Sequence, residues 1–219
     1  MSSVNAPEKL LVFDFDGTIA DTFQLAIDIA RQGLIEFGYQ SFGESEIPEL
    51  REMSVTQLIR RFKINPIHLP KMARYARKKL KHNYHEVMPV KNMVRSIDSI
   101  RKEFTVGIVS SNDEALIRMF MKDFGLKRKV DFVKGGVGIF EKKRALKKVL
   151  KETNAKTSDC YYIGDEIRDI EAAKRVGINS ISVTWGFNGS NILEKNNPDY
   201  IVNSPSELLK LINGLQLEN

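Results

Sequence analysis

The chain has 219 residues, 42% hydrophobic and 28% charged, which is the composition of a soluble globular protein long enough to bury a full apolar core. A single cysteine, Cys160, excludes an intrachain disulfide, and no apolar run approaches the roughly 18 residues that a membrane helix requires. Lys and Arg outnumber Asp and Glu by 34 to 28, and the net charge of +6 suits nucleic acid, a membrane surface or a small anionic substrate equally well.

Residues 1–8 are polar and read as a frayed lead-in. They carry no basic-then-apolar leader, so a cytoplasmic setting is the default expectation. The first predicted strand is Leu10-Leu11-Val12-Phe13, a short apolar run of the kind a parallel sheet covers on both faces. It leads directly into Asp14-Phe15-Asp16-Gly17-Thr18. Residues i and i+2 of a strand share a side, so Asp14 and Asp16 are expected to project together beyond the strand's carboxyl end. Ligands of open α/β sheets collect there. Two acids held that close repel unless a cation or a shared proton relieves them.

Helical spacing then takes over. Phe23, Ala26, Ile27, Ala30, Leu34 and Phe37 recur at three- and four-residue steps, with Thr22 or Asp21 as the cap and Gly38 as the terminator. Further helices are predicted over 55–62 and about 67–85. In the longer one, Leu69, Met72, Ala73, Ala76 and Leu80 line one side, and Arg74, Arg77, Lys78 and Lys81 make a solvated face largely opposite. No strand pattern occurs between Asp21 and Val87. Residues 21–87 therefore read as an inserted all-helical unit, and 1–20 with 88–219 as an α/β core.

Met88-Pro89 marks the return to that core. A helix over 91–104 precedes the strand Thr105–Val109, which ends at Ser110-Ser111-Asn112-Asp113. Asp113 or Asn112 can cap a helix over 114–124. A weaker strand at 130–133 is followed by Gly135-Gly136-Val137-Gly138, which lacks the Gly-Lys-Ser/Thr of a nucleotide-binding loop. A helix over 141–152 leads to a strand at 160–163, where Cys160 reads as a buried structural thiol. Then come a helix over 169–176, strands at 181–184 and 200–202, and a closing helix over 206–212. Strands alternating with helices predict parallel βαβ units in a doubly wound, Rossmann-like α/β fold.

Later features at strand ends and helix starts carry chemistry. Ser110 and Ser111 place a hydroxyl beside free backbone N–H groups, a ready phosphate site, although the same residues make an ordinary helix cap. Lys142 lies in Phe140-Glu141-Lys142-Lys143-Arg144, where a solvated lysine is the common outcome. The functional alternative is one ammonium neutralising a carboxylate and a bound phosphate. In Ile163-Gly164-Asp165-Glu166-Ile167-Arg168-Asp169, Asp165 ends a strand and Asp169 follows one helical turn later, facing the same way. Clustered acids at a sheet edge call for a metal ion. His68, His82 and His85 lack ligand-like spacing and are assigned surface or packing roles. Trp185 either lines the mouth of a site or packs its loop. Aromatic residues are not interleaved with the basic ones, which argues against nucleic acid.

In this order the features resemble the four motifs of the haloacid dehalogenase-like hydrolases: Asp-x-Asp-Gly-Thr, a Ser/Thr after an apolar strand, a Lys, and Gly-Asp-x-x-x-Asp. The resemblance spans the chain. The helical insertion is similar to the family's C1-type cap, and Val183-Thr184-Trp185-Gly186-Phe187 resembles the phosphoglycolate phosphatase-like branch. Many relatives have Gly before the motif lysine where this chain has Glu141, which leaves Lys143 as an alternative to Lys142.

The resemblance implies a phosphatase acting on a small phosphorylated metabolite, phosphoglycolate among the choices. Asp14 is then the nucleophile, Asp16 the general acid and base, and Thr18 orients Asp16. Ser110, Ser111 and Lys142 hold the phosphoryl group. Mg²⁺ is held by Asp14, the Asp16 backbone carbonyl and Asp165, with Asp169 in support. A phosphosugar mutase and a non-catalytic phospho-aspartate receiver are the alternatives, the latter having no use for the helical insertion.

Overall fold

The computed structural model describes residues 9–138 and 141–216; the expectation for residues 1–8 lies outside them. Strand β1 (Leu10–Phe13) runs into a turn and the short β2 (Ala20–Asp21). A helical block follows, comprising α1 (Phe23–Glu36), α2 (Ile47–Arg51), α3 (Val55–Arg61) and α4 (Leu69–Asn83). Strand β3 (Met88–Pro89) pairs antiparallel with β2, so the two crossings between block and core are stapled together. The rest alternates: α5 (Met93–Ile100), β4 (Thr105–Val109), α6 (Glu114–Asp123), β5 (Phe132–Lys134), α7 (Lys142–Thr153), β6 (Cys160–Gly164), α8 (Ile167–Val176), β7 (Asn179–Val183), α9 (Ser190–Lys195), β8 (Tyr200–Val202) and α10 (Pro205–Gln216).

Six strands form one parallel sheet in the order β5-β4-β1-β6-β7-β8, with β1 paired on both sides. Alternation along β1 splits its side chains between two cores. Leu11 and Phe13 join Met93, Ile97, Ile117, Phe120, Leu208 and Ile212 from α5, α6 and α10. Leu10 and Val12 join Leu146, Val149, Ala172 and Ala173 from α7 and α8. Helices on both faces explain why β1 is apolar throughout. Each such fully buried aliphatic side chain contributes about 1.5–3 kcal/mol. The helical block has its own smaller core around Leu34, Phe42 and Leu50.

The fold class agrees with expectation, and the differences are local. β2 and β3 are too short to show a periodic pattern, and α2 and α9 are short helices in segments that read as loops. Asn92, at φ 70, starts α5 later than its apolar spacing suggests. Pro66 and Pro70 confine residues 66–68 to a 3₁₀ turn, so α4 begins at Leu69. Arg74, Arg77, Lys78 and Lys81 are exposed, as expected. Among the described residues no helix is long and apolar enough to cross a membrane.

Candidate active site

Sheet register brings the acids together. Phe13 lies level with Ile108 of β4 and Ile163 of β6, so Asp14, Ser110 and Asp165 all emerge at the carboxyl edge of three adjacent strands. The Asp14 amide still donates to Ile163 O at 2.8 Å, extending the sheet to the first acid. Phe15 then turns into the core, edge-on to Phe120 with ring centroids 5.1 Å apart, which leaves the flanking acids at the carboxyl edge of the sheet. Gly17 takes φ 72, and a Cβ there would fall 2.3 Å from Asp165 Oδ2. Glycine is required for both reasons.

Carboxylate oxygens of Asp14, Asp165 and Asp169 all lie within 4.8 Å of one another, and all three residues are buried. Hard oxygen donors at such spacing suit a divalent cation of the Mg²⁺ type. The Asp16 carboxylate stands outside this set, half-buried, and accepts from Asn112 Nδ2 at 3.1 Å.

Lys142 enters the site and Lys143 is exposed. The Lys142 ammonium is only 2% exposed, donates to Asp14 Oδ2 at 2.5 Å and also pairs with Asp169. Burial works against its charge, but Asp14 and Asp169 overcome that and hold its pKa well above the usual lysine value. Asp169 serves twice, since its other oxygen accepts from Glu166 N at 3.0 Å and caps α8. Ser110 is buried and its hydroxyl accepts from Asn112 N at 3.2 Å, while Ser111 is half-buried beside it.

Burial dominates the acids' titration. It raises Asp16 to about 7, helped by the Asp14 charge. It also raises Asp169 to about 6, against the pull of Lys142. Asp165 is raised by burial and then by Glu166 and Asp169. Without a cation, these acids therefore give up their protons at higher pH than an ordinary aspartate does.

One expected role is corrected. Thr18 does not orient Asp16: its hydroxyl donates to Asp165 Oδ1 at 2.7 Å. The left-handed Gly17 carries the chain across to the end of β6, and Asn112 takes the place beside Asp16. Three further residues were missed. Asn112 was read only as a cap. Phe187 N donates to Asp165 Oδ2 at 2.7 Å, and Gly186 packs so closely that an added Cβ would lie 2.2 Å from that oxygen. Backbone donors leave no mark in a sequence, although Gly186 within an apolar loop was a signal of close approach. Trp185 packs the loop, donating from Nε1 to Thr18 O at 3.1 Å.

Residues 11–183 match the family model of haloacid dehalogenase-like hydrolases. The chain is 30% identical to the phosphoglycolate phosphatase of Synechococcus elongatus, an alignment covering 94% of this chain and 98% of that protein. It is 28% identical to pyrophosphatase PpaX of Listeria monocytogenes, covering 92% and 95% respectively. A solved structure of a predicted phosphatase from Clostridium acetobutylicum superposes with a TM-score of 0.79 at 22% identity, over 95% of this chain and 99% of that one. The acid–lysine cluster at the sheet edge thus sits on a chain matched over most of its length by sequence and by fold, and the chain belongs to the haloacid dehalogenase-like hydrolases.

Proposed function

We propose that the chain is a Mg²⁺-dependent phosphatase that hydrolyses a small phosphorylated metabolite through an aspartyl-phosphate, with phosphoglycolate the first candidate. The single observation carrying this is the buried Lys142 ammonium shared by Asp14 and Asp169 beside Asp165. Asp14 after β1 and Asp169 on α8, acids from two separate segments, converge on this one ammonium. The relatives named phosphoglycolate phosphatase and pyrophosphatase support the same class.

Asp14 is the nucleophile, with one oxygen fixed by Phe15 N at 2.8 Å and the other by Lys142. Asp16 protonates the leaving oxygen and later takes a proton from the hydrolytic water; its raised pKa keeps a proton available near neutrality. Lys142, the Ser110 hydroxyl and the Ser111 amide hold the phosphoryl oxygens as charge redistributes. Asp14, Asp165 and the Asp16 backbone carbonyl would hold Mg²⁺, with Asp169 in support. The ion, when bound, offsets the negative charge of the acids and the phosphoryl group. Residues 21–87 act as a cap that excludes water and selects the substrate.

The test is a panel of phosphorylated metabolites that includes phosphoglycolate and pyrophosphate, assayed for released phosphate with Mg²⁺ and with EDTA. Turnover that appears with Mg²⁺ and vanishes with EDTA is expected. Turnover surviving chelation, or none on any member, refutes the proposal.

A further inference from the structure

One face of the cap is tied to the loop after β7, and the Arg51 side chain makes the most bonds to it. Arg51, at the end of α2, donates from one terminal nitrogen to Thr184 O at 2.9 Å and Gly186 O at 2.8 Å, and from Nε to Phe187 O at 3.3 Å. The guanidinium lies over the Phe23 ring, 5.0 Å from its centroid. The loop answers with Gly189 N to Arg51 O at 2.9 Å and Asn188 Nδ2 to Arg51 O at 3.1 Å. Next door, Glu52 accepts from Ile192 N at 2.7 Å.

The same loop grips Asp165. Phe187 N and Asn188 N donate to its Oδ2 and main-chain oxygen, at 2.7 and 3.2 Å. The Asn188 side chain also accepts from Ile167 N at 3.0 Å, fixing the start of α8. Phe187 is thus bonded on its carbonyl side to the cap and on its amide side to an acid of the metal cluster. Hydrogen-bond partners one step removed from a metal orient its ligands, and their loss typically costs about 10–100-fold in affinity.

We propose that Arg51 is a positioning residue that couples cap docking to metal binding: by holding the 184–187 carbonyls it fixes the Phe187 amide on Asp165, so a docked cap presents a better-formed cation site. The inference rests on the metal reading above. Coupling of this kind is reciprocal, so the cation also strengthens cap docking. Electrostatics alone predicts the opposite effect of mutation, since removing a positive charge near the site tightens a cation.

The experiment is titration calorimetry of the full chain with Mg²⁺ alone. Arg51→Met is expected to weaken binding by about 3–10-fold, less than loss of a direct partner to a ligand because it acts one bond further out. Arg51→Lys, which keeps a donor but not the fork, falls between. Arg51→Gln, which keeps a polar side chain but loses the guanidinium fork, weakens Mg²⁺ in the same direction and decides the matter if Arg51→Met does not fold. Folded Arg51→Met binding Mg²⁺ as tightly as the parent, or more tightly, overturns the coupling while leaving the metal reading intact. No saturable Mg²⁺ binding by the parent overturns both.

Discussion

Replacing Lys142 by Met keeps the apolar stem and deletes the ammonium that Asp14 and Asp169 share. All three side chains are no more than 3% exposed, so solvent cannot screen what remains. Removing one partner of a buried pair costs about 3–5 kcal/mol, because a charge is left uncompensated. For a chain of this size that is roughly 6–20 °C in melting temperature. The loss is pH-dependent with a definite sign. Asp169 already titrates at about 6 with the lysine pulling it down, so its value rises further without that charge. Protonation of Asp169 shrinks the penalty toward pH 5, and the penalty grows toward pH 8. Melting curves of metal-free parent and Lys142→Met at the two pH values should show a gap at pH 8 at least twice that at pH 5. A variant as stable as the parent at pH 8 refutes the idea that this ammonium neutralises buried acids.

Asp14→Asn should reduce phosphatase turnover by at least about 10³-fold and abolish formation of a hydroxylamine-labile phosphoenzyme, read from the protein after a quench with radiolabelled substrate. In the metal-free parent, Asp16 at about 7, Asp169 at about 6 and the raised Asp165 bind protons that the unfolded chain has released above the ordinary aspartate value of about 3.9. Their stabilising contribution is complete below that value and is lost as pH rises through the folded values, so the melting temperature should fall between pH 5 and 8. Saturating Mg²⁺ should raise it more at pH 8 than at pH 5, and an equal rise at both would contradict the assignment of these acids to the cation. Gly186→Ala forces a methyl to within 2.2 Å of Asp165 Oδ2 and should weaken Mg²⁺ by about tenfold or more, measured by titration calorimetry. Cys160, buried and pushed up to about 12, should resist a thiol reagent at pH 8 until the chain is unfolded in guanidinium.

The sequence was legible where chemistry and periodicity coincide. β1 combines a four-residue apolar run with the acids that follow it, so strand, sheet edge and site could be read from one stretch. Lys142 could be told from Lys143 only by register, and the fold provides the reason: position 142 faces the sheet edge as α7 begins, while 143 turns to solvent. Asp169 was ambiguous between capping and the acid cluster because it does both. Reading failed where partners are set by chain direction. Thr18 lies two residues from Asp16, yet the left-handed Gly17 sends its hydroxyl to Asp165, 147 positions away. Arg51 carried no signal in the sequence, because its acceptors are main-chain oxygens that no side-chain pattern announces.

β1 has neighbours on both flanks, and its ladder continues through the Asp14 amide. Amide hydrogens there should exchange with solvent only when the whole sheet comes apart, whereas those near residues 51–53 are free to exchange through small excursions. On the proposed mechanism, a nucleophile at Asp14, anchored at the end of a strand paired on both sides, cannot itself yield to admit a ligand. The give needed for entry and exit falls to the helices beyond the paired crossings at Ala20–Asp21 and Met88–Pro89.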